Sequence, residues 1–212
     1  MGIISPFDIP ILVEDIEDGE DIAKEVCKAA YDLREKDPNG RLLGHKFREM
    51  EYADSPEDLK KYGYTSHGSF KLSEEKSFHR VHLATVKQME KYLTHCKAGY
   101  PFHLTNSWVS IYGRGSFAPE HVHSLCHLSC VFYGAVTEST GEIVFKNPAM
   151  ETYTMLYGNG VNLFEDLRTI QPKVGQMIIF PSFMRHYTKP HLSDDDRIIF
   201  SCNSVIDDAF SR

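Results

Sequence analysis

Long apolar runs are absent from this 212-residue chain. No segment approaches the roughly 20 apolar residues that a membrane-crossing helix needs. The N-terminal stretch MGIISPFDIPILVEDIEDGED also lacks the basic head and small-residue cleavage site of a secretory leader, so the sequence reads as cytoplasmic, with no membrane partner. A basic stripe is missing too. The 23 Lys and Arg are scattered among 30 Asp and Glu, for a formal charge of −7. That balance disfavours a phosphate-tracking surface, so nucleic acid is not an expected partner. Cysteine is sparse and unpatterned: Cys27, Cys96, Cys126, Cys130 and Cys202 are odd in number and contain no CxxC pair. They read as buried, reduced thiols in a reducing compartment rather than a disulfide framework. Repeats, low-complexity tracts and linkers are lacking as well, which leaves a single domain over 1–212.

The 42% hydrophobic and 25% charged content is ordinary for a soluble globular protein. Ile22, Val26, Ala29, Ala30 and Leu33 recur at helical spacing and predict a helix over 21–36, stopped by Asp37-Pro38-Asn39-Gly40. Ser55-Pro56-Glu57-Asp58 has the serine cap, first-turn proline and early acids of a short helix start. A longer helix is expected over 74–97, with Leu83, Val86, Met89, Leu93 and Cys96 on its packed face and Gly99 ending it. After residue 106 the texture becomes short runs of branched and aromatic residues between turn signals. These predict strands at 108–112, 128–136, 143–146, 152–157, 176–180, 186–188 and 197–205. Helices followed by many evenly spaced strands predict a mainly β fold with flanking helices. Its core, at about 106–205, would be a double-stranded β-helix of the jelly-roll or cupin-like kind, with a helical flank of about 1–100 packed on one sheet.

The most definite chemical proposal in the chain is Pro119-Glu120-His121-Val122-His123, followed downstream by Phe180-Pro181-Ser182 and then His186. Two histidines at i and i+2 on a strand point to one face, and a third on a returning strand can close a three-point set on one metal. Imidazole serves iron, zinc, copper or nickel, and three protein ligands leave positions open for chemistry. A bare His-x-His arises often by chance, and seven other histidines (His45, His67, His79, His82, His95, His103 and His191) are read as surface or hydrogen-bonded core groups.

The surrounding residues resemble a known family. Tyr112-Gly113-Arg114-Gly115 leading to His121-Val122-His123, then Leu128-Ser129-Cys130-Val131-Phe132-Tyr133, Thr140-Gly141-Glu142-Ile143-Val144-Phe145, Val174-Gly175-Gln176-Met177-Ile178-Ile179-Phe180-Pro181-Ser182 and Arg197-Ile198-Ile199-Phe200 occur in order. They resemble the 2-oxoglutarate/Fe(II)-dependent dioxygenases, in particular the prolyl-hydroxylase-like branch and the oxygenase families near it. The resemblance implies a hydroxylase that couples decarboxylation of 2-oxoglutarate to succinate with oxidation of a substrate. It implies His121, His123 and His186 as Fe(II) ligands and the catalytic set, with ascorbate as a supporting reductant. It also implies Arg197 as the partner of the distal carboxylate of 2-oxoglutarate, helped by the hydroxyls of Tyr133 and Tyr112. An Arg presents a rigid, permanently charged fork of donors to a planar carboxylate.

One residue departs from the family pattern. His123 stands where Asp or Glu is usual, which leaves one more unit of positive charge on the metal set. Glu120 carries a carboxylate, but as the neighbour of His121 it should face the other way on a regular strand. Two other readings stay open: a three-histidine cupin-like metalloenzyme that uses no keto acid, and a non-catalytic barrel that binds a ligand through its aromatic residues. Arg197 itself could simply pair with Asp194, Asp195 or Asp196. The substrate, a small molecule or a protein side chain, is not encoded in any motif; its rims are expected at 113–119, at 150–166 and in the N-terminal region. Oligomeric state is open, with a homodimer among the options.

Overall fold

The computed structural model describes residues 9–45, 52–150 and 166–207. In chain order its elements are β1 (Leu12–Asp15), α1 (Gly19–Lys36), β2 (Arg41–Leu42), β3 (Gly44–His45), α2 (Pro56–Tyr62), β4 (Tyr64–Thr65), α3 (His79–His95), β5 (Phe102–Tyr112) and β6 (Ser116–Phe117), then β7 (Leu128–Ala135), β8 (Ile143–Lys146), β9 (Leu167–Ile170), β10 (Gln176–Pro181), β11 (His186–Thr188) and β12 (Arg197–Ile206). A seven-stranded antiparallel sheet runs in the order β1-β10-β7-β12-β5-β4-β2, a three-stranded sheet in the order β11-β8-β9, and β3 pairs with β6. The mainly β architecture with helices matches the expected jelly-roll class.

Alternation along the long strands separates two environments. On β12, Ile198, Phe200 and Cys202 face the helices, whereas Arg197, Ile199, Ser201 and Asn203 face a cavity on the opposite side. On β7 and β10, Phe132, Met177 and Ile179 join the helix-side core, and Val131, Tyr133, Ile178 and Phe180 join a second core closed by Ile143 and Phe145 of the smaller sheet. Phe132 and Phe200 are completely buried. Burial of that kind stabilises by about 1.5–3 kcal/mol per side chain. The helices therefore brace the back of the sheet while the front is free to carry polar groups.

α1 buries Ile22, Ala23, Val26, Ala29, Ala30 and Leu33, with acids in its first turn and Arg34 and Lys36 in its last, as the helix dipole favours. The Ser55 start is a capping box closed by Asp58. α3 differs from expectation. Two short 3₁₀ turns, Leu72–Glu74 and Lys76–Phe78, precede it, because Glu75 between them is extended (φ −92°, ψ 114°). Its end is made by Lys97 at φ 55°, with Ala98 N–H donating to Leu93 O and Lys97 N–H to Thr94 O, so Gly99 is not the stop. The packed face is Val81, Thr85, Gln88, Met89, Tyr92 and Leu93, whereas Leu83 and Cys96 are exposed. Thr85 escapes a hydrophobic-stripe reading, yet its hydroxyl is satisfied by Val81 O at 2.8 Å.

The first hundred residues are more than a helical flank. β1 completes one edge of the large sheet against β10, and β4 with β2 completes the other. These strands are two to four residues long. That is too short to show a period of two. β9 was likewise not expected, and the expected strand at 152–157 lies outside the described residues. All five cysteines are unpaired, but only Cys130 and Cys202 are buried. No helix among the described residues is long and apolar enough to cross a membrane.

Candidate metal centre and its pocket

The histidine pair does not sit on a regular strand. His121 and His186 instead form an isolated antiparallel bridge and exchange both backbone bonds at 3.0 Å. His123 N–H donates to Ser182 O at 3.0 Å. The extended segment held this way still sends residues i and i+2 to one side. The ring centroids of His121, His123 and His186 lie 4.3–5.2 Å apart, and one nitrogen from each falls within 4.8 Å of the others. His121 Nδ1 donates to Pro119 O at 2.7 Å and His186 Nδ1 to Met184 O at 2.8 Å. Both rings therefore keep a free lone pair on Nε2, the arrangement a metal ligand requires.

Burial, with the His186 and His121 rings close by, pulls His123 down to about 3. Burial and then His121 pull His186 down to about 4. At neutral pH these two rings are uncharged, so neither must give up a net proton before binding metal. Glu120 does not join them. Its carboxylate meets Lys146 Nζ at 2.5 Å and Arg185 at 3.6 Å, and the Lys146 hydrogen bond holds it below the usual carboxylate range. Glu120→Gln is therefore expected to leave metal affinity within about twofold of the parent in a titration, since exposed ion pairs contribute little.

Among the described residues Arg197 is the largest fully buried side chain, only 1% exposed. One Nη donates to Gly141 O at 2.6 Å, the other to Thr188 Oγ1 at 3.3 Å, and its Nε has no partner among the described residues. The guanidinium carbon lies 3.7 Å over the Tyr112 ring, a cation–π contact. The expected competitors are engaged elsewhere: Asp194 pairs with Arg114, Asp196 takes Arg34 and the Tyr31 hydroxyl, and Asp195 is held through its backbone by Ser193 and His191. No carboxylate pairs with Arg197 among the described residues. Gly141 cannot carry a side chain here, because a Cβ would fall 1.8 Å from Lys189 O. Its carbonyl is thereby brought up to the guanidinium. Tyr133, also buried, lines the same space, and burial raises its phenol despite Arg197 nearby. A buried cation balanced only by neutral groups is costly unless an anion completes the site.

One cavity of about 700 Å³ is lined by the three histidines together with Arg197, Tyr112, Tyr133 and Thr188. That is ample for a small-molecule site. It runs from Arg197, Tyr133 and Thr188 past the three histidines to a mouth with Arg41, His67, Trp108 and Leu125. Trp108 and His67 meet edge to face at 4.8 Å, and Arg41 Nη1 lies 3.4 Å from His67 Nδ1. His67, given no role from sequence, is thus part of the wall. Asn203 was also missed, although its even spacing from Arg197 on β12 places it on the cavity face.

The family of putative 2OG-Fe(II) oxygenases matches residues 106–203. No curated protein matches the chain. Among solved structures, a Pseudomonas putida prolyl-4-hydroxylase superposes with a TM-score of 0.59 at 11% identity, covering 92% of each chain. The α-ketoglutarate-dependent epimerase SnoN of nogalamycin biosynthesis gives 0.64 at 12% identity, over 93% of this chain and 78% of its own. HygX from Streptomyces hygroscopicus, with nickel and 2-oxoglutarate bound, gives 0.54 at 11% identity, over 94% and 84%. At these identities the superpositions speak for the fold, and the family match speaks for the segment that carries the histidines and Arg197.

Proposed function

We propose, for a chain whose residues 106–203 match the 2OG-Fe(II) oxygenases, that the cavity holds Fe(II) on His121, His123 and His186 and 2-oxoglutarate on Arg197. The observation that carries this reading is the buried Arg197, without a carboxylate partner among the described residues, in the same cavity as three converging imidazoles. When bound, iron and keto acid supply the oxidising chemistry, in which 2-oxoglutarate loses carbon dioxide to become succinate as dioxygen oxidises the substrate. The chain's own residues bind and orient. Arg197 takes the distal carboxylate, supported by the hydroxyls of Thr188, Tyr133 and Tyr112. Phe180, Phe145 and Ile199 keep that end dry. The mouth formed by Trp108, His67 and Leu125 faces the substrate, either a small molecule or a protein side chain that is hydroxylated. The five unpaired cysteines fit work in the reducing cytoplasm.

Uncoupled turnover tests this without knowledge of the substrate. Incubation with Fe(II), ascorbate, dioxygen and 2-oxoglutarate should release succinate above a metal-free control. Absence of succinate, together with no anaerobic binding of 2-oxoglutarate, would remove the keto acid and favour a three-histidine enzyme of another kind.

A further inference from the structure

We infer that Asn203 is the positioning residue of the metal centre: its side-chain amide decides which nitrogen of His123 is free to bind metal. This rests on the reading of His121, His123 and His186 as one metal site. Two of the three rings are oriented by the carbonyl two residues earlier in their own chain, Pro119 O for His121 and Met184 O for His186. The corresponding carbonyl for His123 is His121 O, and that atom already accepts the backbone N–H of His186 at 3.0 Å. Among the described residues His123 makes no such carbonyl bond; the amide nitrogen Nδ2 of Asn203 instead lies 3.4 Å from its Nδ1. A carboxylate at position 123 would need no such partner, because it has no tautomer to fix.

Asn203 is 5% exposed, and the other end of its amide lies 2.9 Å from Ser129 Oγ, itself 2.8 Å from Ser182 Oγ. Both serines are buried, and the backbone carbonyl of Ser182 takes the His123 N–H. An amide rotated by half a turn exchanges oxygen and nitrogen with almost no change in shape. With Oδ1 toward His123, the ring donates Nδ1–H to it and keeps the Nε2 lone pair for metal. Nδ2 then donates to Ser129 Oγ, whose hydroxyl donates to Ser182. With Nδ2 toward His123, the neutral ring carries its proton on Nε2, where it blocks the metal. Serine hydroxyls act as donor or acceptor, so the network tolerates both orientations, and metal binding selects the first.

The test is Co(II) titration of the whole protein, without keto acid, followed by its visible absorption. Asn203→Leu, close in volume, should lose about ten- to a hundredfold in affinity, as is usual when a group orienting a ligand is removed. Asn203→Asp, which accepts from Nδ1–H and cannot donate, should bind Co(II) at least as tightly as the parent. In the Zn(II)-loaded parent, nitrogen NMR should show the His123 proton on Nδ1, and in Asn203→Leu that proton should exchange rapidly with water. Unchanged affinity in Asn203→Leu, or an equal loss in Asn203→Asp, overturns the inference by reducing Asn203 to packing. If Asn203→Leu fails to fold, the Asp variant alone decides: parent-like or tighter binding supports the role, and a tenfold loss overturns it. A parent that binds neither Co(II) nor Zn(II) would instead bring down the metal-site reading and this inference with it.

Discussion

Arg197→Met should abolish 2-oxoglutarate binding while leaving the metal in place. The charge-assisted hydrogen bonds between a guanidinium and a carboxylate are strong, and removing one partner of such a buried pair typically loses about 2–5 kcal/mol. At roughly 1.4 kcal/mol per decade, the dissociation constant for 2-oxoglutarate should rise by about thirtyfold to several thousandfold. Titration of the metal-loaded protein without oxygen measures this directly. The same variant has a second signature. In the unliganded protein Arg197 is buried against Gly141 O, Thr188 and the Tyr112 ring, with its Nε unsatisfied. Replacing an incompletely balanced buried charge by an apolar chain of similar length is often neutral or stabilising. The melting temperature of the unliganded variant should hold or rise, whereas the further rise that keto acid gives the metal-loaded parent should vanish. A drop in stability with binding intact would mean that Arg197 is a structural cation.

His121→Ala should remove the metal and with it all turnover of 2-oxoglutarate. Structural zinc sites with four protein donors are worth about 10–16 kcal/mol, or roughly 2.5–4 kcal/mol for each donor, so losing one of three should weaken metal binding by about a hundred- to a thousandfold. His121 is the right choice because it is only partly buried and its backbone bridge to His186 does not depend on the side chain. The fold should survive, which circular dichroism would confirm. Metal binding at parental strength in His121→Ala would place the ion elsewhere.

These expectations show which parts of the molecule were legible in its residues. The returning His186 and Arg197 could be read because the strands bearing them, β11 and β12, are regular and close to their expected bounds. Charge and hydrogen-bonding chemistry then did the rest: Glu120 was expected to face away, and it does so toward Lys146 and Arg185. The His-x-His segment was placed on a strand, whereas one bridge and one backbone bond to the turn after β10 hold it. Long-range pairing of that kind leaves no local pattern. β1 to β4 escaped because strands of two to four residues exist only by virtue of their neighbours. The packed face of α3 was misplaced because Thr85 and Gln88 are polar in composition but buried by geometry. The even spacing of Asn203 from Arg197 marks its face of β12 but not its role. Its importance depends on where His123 finds itself without a carbonyl.

The most direct measurement is a crystal structure of the protein loaded without oxygen with Fe(II) and 2-oxoglutarate. One ion should be bound by His121, His123 and His186, and the distal carboxylate of the keto acid should lie on Arg197 beside Thr188. An ion held without His123, or a keto acid whose carboxylate lies away from Arg197, would contradict that assignment.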